Sequence, residues 1–243
     1  DVEYYLTQAK KAQVSQMLCV ATDINSLQQV KSLATEYQNI YYSAGIHPLE
    51  ELLTDNLDIE QKLVQQYATK ALAIGETGLD FYRTKDQDFI KLQYERFIYH
   101  IELAQKLDKA LIVHMRDSEK ETIATIQQYK SKVRGVLHCF TGSYKTAKKA
   151  LDLGFMISFS GIVTFKNAQD LQQIASKIPS DSYLIETDSP FLAPVPHRGK
   201  ENQPAYVCHV AEKLAELRKV DVLTIAEQST KNFNKLFKTA NYV

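Results

Sequence analysis

The sequence predicts an α/β protein, a (β/α)8 barrel whose first strand is absent from the 243 residues. Three observations lead there. Short apolar, β-branched or aromatic runs alternate with stretches of helical periodicity, which implies a parallel sheet with helical crossovers. No G-x-G-x-x-G or G-x-x-x-x-G-K-[ST] follows the first run, which ends Ala21-Thr22-Asp23-Ile24. A doubly wound open sheet usually carries such a loop there. The chain also opens with a helix and then supplies seven runs, one fewer than a closed barrel needs.

In order along the chain, residues 1–16 read as a helix, with Val2, Leu6 and Ala9 on one face behind Asp1. The strand runs are Met17–Thr22, Ile40–Ile46, Ala71–Glu76, Leu111–His114, Gly135–Cys139, Phe155–Ser160 and Tyr183–Glu186. Helical spacing is plain between the third and fourth, where Phe97, Ile101 and Ala104 share a face. After the seventh run come a Pro-containing loop and two helices, one carrying Val207, Val210, Leu214 and Leu217 on one side. No repeat of fixed period underlies the alternation, so residues 1–243 are expected to form one domain.

Composition narrows the classes. Apolar residues at 44% and charged ones at 24% are ordinary for a soluble globular protein. The longest apolar runs, Ala71–Gly75 and Leu111–Val113, are far short of a membrane span, and no stretch of the 243 residues reads as a secretory signal. A cytoplasmic, monomeric or weakly associating protein with no membrane partner is the expectation. Cys19, Cys139 and Cys208 lie too far apart in sequence for a disulfide framework or a C-x-x-C metal site. Equal numbers of basic and acidic side chains, 29 each, exclude a globally basic nucleic-acid coat but leave room for a local basic cleft.

The informative residues interrupt apolar runs at their C-terminal ends. Run two ends in Ile46-His47-Pro48, run three in Gly75-Glu76, run four in Val113-His114 and run five in Leu137-His138. Run seven leads through Glu186 to Asp188. In a barrel these positions meet at the rim where active sites are built. Glu76, His114, His138 and Asp188 are the oxygen and nitrogen donors that divalent cations take, and closure would bring all four together. A strand-end His alone is more often a hydrogen-bonded structural residue, and Asp188 alone would serve equally as a helix cap. His100 and His209, inside helical stretches, read as surface or packing residues. Cys139, next to His138, should point to the opposite face, under the helices.

The loop Phe191–Lys200, FLAPVPHRGK, has His197, Arg198 and Lys200 and no acid. Stiffened by Pro194 and Pro196, it suits either an ordinary solvated loop or an anion clamp in which Arg198 binds phosphate. Arg116 and Arg83 are similar rim candidates.

These segments resemble the TatD-type metal-dependent deoxyribonucleases over essentially the whole chain. The matching stretches are GIHP (45–48), GETGLDFYR (75–83), HMRD (114–117), HCFTGS (138–143) and FSGIVTFKN (159–167). They continue with ETDSPFLAPVPHRGKENQP (186–204) and TKNFNKLF (230–237). The resemblance implies a barrel with two divalent ions (Mg2+, Mn2+ or Zn2+) that cleaves DNA phosphodiesters, with single strands or ends as substrate. Glu76 would bridge the ions, His114 and His138 would complete one site, and Asp188 would bind the other and deprotonate the attacking water. His47 and Arg198 would lie near a phosphate; Arg116, from its rim position, is a further candidate substrate contact. A hydrolase of a small ester, amide or phosphate on the same barrel is the alternative.

Two departures stand out. The family's His-x-His pair on the first strand has no counterpart here, and His-Pro-His is His47-Pro48-Leu49. One competent and one incomplete metal site are therefore expected of these 243 residues. Runs one and seven lack the charges or prolines that blunt exposed edges, and the chain opens at Asp1 without Met. The expectation is roughly 15–25 further residues upstream, a strand and its loop.

Overall fold

A computed structural model describes residues 1–52, 56–130 and 132–241. Among them, seven parallel strands follow one another in sequence order around a curved sheet. They are β1 Met17–Cys19, β2 Ile40–Ala44, β3 Ala73–Asp80, β4 Ala110–Arg116, β5 Gly135–Leu137, β6 Phe155–Phe159 and β7 Tyr183–Ile185. Each predicted run yields its strand, and β1 and β7 form the two edges. This is the (β/α)8 barrel architecture less one strand. The opening helix is shorter than the predicted span, α1 Val2–Lys11, with Asp1 as its cap.

The crossover helices are α2 Ile24–Glu36, α3 Leu57–Ala68, α4 Gln87–Leu107, α5 Glu119–Gln127, α6 Tyr144–Asp152 and α7 Gln169–Lys177. α8 Val207–Arg218 and α9 Val222–Phe237 close the chain. Local chemistry sets their starts. The Asp23 carboxylate accepts from the Asn25 and Ser26 amides while Ser26 Oγ accepts from the Asp23 amide, a capping box for α2. The Asp86 carboxylate accepts from the Phe89 amide at 2.8 Å and caps α4.

Strand alternation divides the core in two. Ile74, Leu111, Val113, Leu137, Ile157 and Tyr183 face outward and pack with helix residues such as Leu27, Phe97 and Ile101. Ala73, Ala110, Ile112, Val136, Met156 and Leu184 face inward, and Leu236 and Phe237 of α9 pack against them. The inner stripe prepares the functional site. Two residues beyond Ile112, Val136 and Leu184 on the same face come His114, His138 and Glu186.

β3 reaches that stripe by an irregularity. Its register against β4 shifts between Ile74 and Thr77, which accommodates Glu76. Gly78, at φ +137°, packs so closely on β4 that an added Cβ would lie 2.0 Å from the His114 carbonyl oxygen. Only glycine permits that approach.

Candidate metal centre

Four strand ends converge on one carboxylate. Glu76 is 7% exposed, and its Oε1 lies 2.9 Å from His114 Nδ1 and 2.8 Å from His138 Nε2. His47 Nε2 is further off, 3.6 Å from the same oxygen. Each of the two close imidazoles is held from behind by a second carboxylate. His114 Nε2 is 3.0 Å from Asp80 Oδ2, and His138 Nδ1 is 3.2 Å from Glu186 Oε1, which also accepts from the Cys139 amide at 2.8 Å.

Asp80 and Glu186 were not among the predicted site residues. Their signal was the two-residue alternation Glu76-Gly78-Asp80 and Glu186-Thr187-Asp188, read past the end of each apolar run. Asp188 has positive φ, 61°, and its carboxyl sits with His138 and Glu186, their donor atoms within 4.8 Å of one another. His47, Glu76 and His114 form a second such group.

Hydrogen bonding separates these residues more finely than distance does. The His47 ring accepts from the Leu49 amide at Nδ1, 3.2 Å, while the His47 amide donates to Thr22 O at 2.7 Å. An accepting Nδ1 leaves the ring proton on Nε2, so His47 presents a donor to the centre rather than a lone pair. Burial pushes its pKa down to about 4, which keeps the ring neutral. His114 and His138 can instead place a proton on the outer nitrogen, toward Asp80 and Glu186, and free the inner nitrogen as a ligand.

The electrostatics agree. Burial alone would raise Glu76, but His138 and His114 outweigh it and hold the carboxyl well below its ordinary range. Burial opposes the charged forms of His114 and His138, yet their carboxylate partners raise both. Asp188 is pushed up to about 6 by burial, with Glu186 and Glu76 adding to the effect. A cluster that draws protons in to balance its carboxylates offers the same place to a divalent cation, which would displace them. The donor set, imidazole nitrogen and carboxylate oxygen, fits Zn2+, Mn2+ or Mg2+.

Other expectations fall on either side. Arg116, two residues past His114 on β4, lies over the Tyr82 ring, guanidinium carbon to centroid 4.0 Å. Arg198 lies over Phe165 at 4.3 Å, on the loop after β7. His197 stacks on Tyr206 at 3.8 Å beside His209, so it does not join the donors around Glu76. His100 is indeed a packing residue, 1% exposed. Cys139 departs from the reading. β5 stops at Leu137, Cys139 turns to φ 44°, and its Sγ lies 3.2 Å from Ser160 Oγ, close to Glu186. Strand alternation could not place it because the strand had already ended. Cys208, His209 and Glu212 also cluster, but on α8 rather than at a strand end.

A curved parallel sheet with imidazole and carboxylate donors at the carboxyl ends of its strands is the arrangement of the metal-dependent barrel hydrolases. The chain belongs to the TatD related DNase family, whose model matches residues 1–238. It is 46% identical over 238 residues to an uncharacterized metal-dependent hydrolase of Escherichia coli K12, YcfH, covering 98% of this chain and 88% of the relative. The Bacillus subtilis metal-dependent hydrolase YabD is 36% identical over 239 residues, 98% and 93% covered. Among solved structures, YjjV, a TatD homolog from Escherichia coli K12, superposes with a TM-score of 0.89 at 28% identity, covering 98% of this chain and 92% of that one. The chain is accordingly a metal-dependent hydrolase. No described helix is long and apolar enough to cross a membrane.

Proposed function

We propose that this hydrolase cleaves phosphodiester bonds of DNA, at single strands or ends, with residues 1–243 acting as one barrel domain. The observation that carries the reading is the pair of imidazoles of His114 and His138, both aimed at one Glu76 oxygen and each backed by its own carboxylate. Glu76, His114 and His138 would hold one divalent ion, and Glu76 with Asp188 would contribute to a second. Such ions supply Lewis acidity, which acidifies water toward neutral pH and offsets phosphate charge.

The chain's own groups supply the rest. Asp80 and Glu186 accept the outer ring protons and fix both imidazoles in the ligating tautomer. Asp188, grouped with His138 and Glu186, accepts the proton of the attacking water. His47, neutral and with its proton on Nε2, donates to a phosphate oxygen without adding charge next to His114 and His138. Arg198 and Arg116 neutralise the flanking phosphates. The family's description as TatD related DNase supports DNA as the substrate.

Hydrolysis of a quenched fluorescent single-stranded oligonucleotide in Mg2+ or Mn2+ tests this, comparing the protein with His138→Ala and Asp188→Asn. Cleavage by the protein and a loss of at least about 100-fold in both variants is expected. Metal-dependent hydrolysis of small esters or amides with no cleavage of any oligonucleotide would overturn it.

A further inference from the structure

Tyr82 is the least explained side chain at the rim. The residue is 55% exposed, yet its backbone is held fast. Asp80 Oδ1 accepts from the Tyr82 amide at 3.0 Å and from the Arg83 amide at 2.9 Å, while Asp80 Oδ2 meets His114 Nε2 at 3.0 Å. One buried carboxylate therefore ties an exposed aromatic ring to a donor of the metal centre. The Phe81 amide donates to Arg116 O at 2.9 Å, which locks the same turn onto the end of β4.

The ring carries a cation at stacking distance, Arg116 at 4.0 Å, with Arg83 looser at 5.7 Å. Arg116 and His114 are two residues apart on β4, about 6.6 Å along a strand, the scale of a single nucleotide. An exposed aromatic ring on a tethered backbone and backed by arginine is what proteins use to stack bases of single strands. A stacked pair Arg116–Tyr82 also leaves the arginine's edge free for phosphate.

We infer that Tyr82 and Arg116 form a nucleobase-stacking subsite that positions an unpaired base next to the bond cleaved at the Glu76–His114–His138 centre. The inference rests on the phosphodiesterase reading and adds to it a requirement for an unstacked base. Duplex DNA offers no free base face away from its ends, so the subsite selects single strands or frayed ends. Charge limits where the strand can run. The cleft that Arg83 and Lys91 border, about 880 Å³, is also lined by Glu51, Asp86, Asp88 and Glu95, and its net negative charge repels a phosphate backbone. The strand therefore does not run into that cleft.

The test compares single-stranded oligonucleotides that are intact or carry one abasic residue, stepped through the positions flanking the cleaved bond. The protein should prefer the intact strand by about 5- to 100-fold in kcat/KM at one position, the range base stacking supports. Tyr82→Ala should reduce that preference to less than about 2-fold, and Tyr82→Trp should keep it. Cleavage by the unaltered protein with no preference at any position overturns the subsite and leaves the phosphodiesterase reading intact. A preference that survives in Tyr82→Ala also overturns it. No cleavage of DNA at all would remove the phosphodiesterase reading and the subsite with it.

Discussion

Arg96 joins stability to the site, and replacing it separates the two. Its side chain is 1% exposed and meets Glu60, 3% exposed, through two parallel hydrogen bonds, Nε to Oε1 at 2.8 Å and Nη2 to Oε2 at 2.6 Å. The guanidinium also donates to the carbonyls of Glu50, through Nη1, and Glu51, through Nη2 at 3.2 Å. Those carbonyls belong to the turn after His47, where the Glu50 amide donates to His47 O at 3.1 Å. Truncation to alanine leaves the Glu60 carboxylate buried without its cation and frees two carbonyls. The expected cost is about 3–5 kcal/mol, or roughly 6–20 °C in Tm for a chain of this size. Urea unfolding followed by circular dichroism reads it.

The double variant Glu60→Leu/Arg96→Met removes both charges together, so at least about half of that loss should return. The turn stays untethered, however, so hydrolysis should remain depressed although stability recovers. An Arg96→Ala cost below about 1 kcal/mol would refute the energetic argument, since exposed pairs are worth that little. Full activity in the double variant would refute the link from Arg96 to His47.

Other expectations follow from the same contacts. His100 is buried, its Nδ1 2.6 Å from the Arg96 carbonyl and its Nε2 accepting from the Ile46 amide at 3.3 Å, and burial pushes its pKa down to about 4. The unfolded chain takes up this proton near pH 6.5, so the neutral ring's stabilisation is complete above about pH 6.5 and is lost as pH falls toward 4, about 3 kcal/mol in all. His100→Asn should remove about one proton from the pH dependence of urea stability in that window, and an unchanged slope would contradict the buried neutral ring. Asp80→Asn takes away the carboxylate behind His114 and should weaken Mn2+ binding about 10- to 100-fold in calorimetry, whereas unchanged affinity would exclude that supporting role. With Arg198 and Arg116 as the phosphate contacts on a chain of zero net charge, binding of single-stranded DNA should fall with salt with a log–log slope of about −1.4. A slope steeper than about −5 would point to a broad basic surface instead.

The sequence carried much of this, for a physical reason. A strand buried on both faces is written as a continuous apolar run, so the polar residue that ends it is conspicuous; Glu76, His114 and His138 stand out in that way, and Asp188 lies two residues past the end of the last run. Asp80 and Glu186 were less so. Asp80 follows two glycines of positive φ, Gly75 and Gly78, where β3 continues without an apolar pattern. Glu186 read as a strand end rather than as support for His138. The Glu60–Arg96 pair left no trace either. A charged residue on a helix looks the same in sequence whether it faces water or a partner 36 residues away. His47 was legible as a rim residue, but its donor role depends on the Leu49 amide, a backbone contact that no side-chain pattern encodes.

The central claim, a metal-dependent phosphodiesterase, comes down to one measurement. The protein is stripped with EDTA, and Mn2+ is titrated back while cleavage of a single-stranded oligonucleotide is followed. Cleavage should vanish on stripping and return saturably with the metal. Cleavage that persists unchanged in EDTA, or that never appears with Mn2+, Mg2+ or Zn2+, would contradict the account.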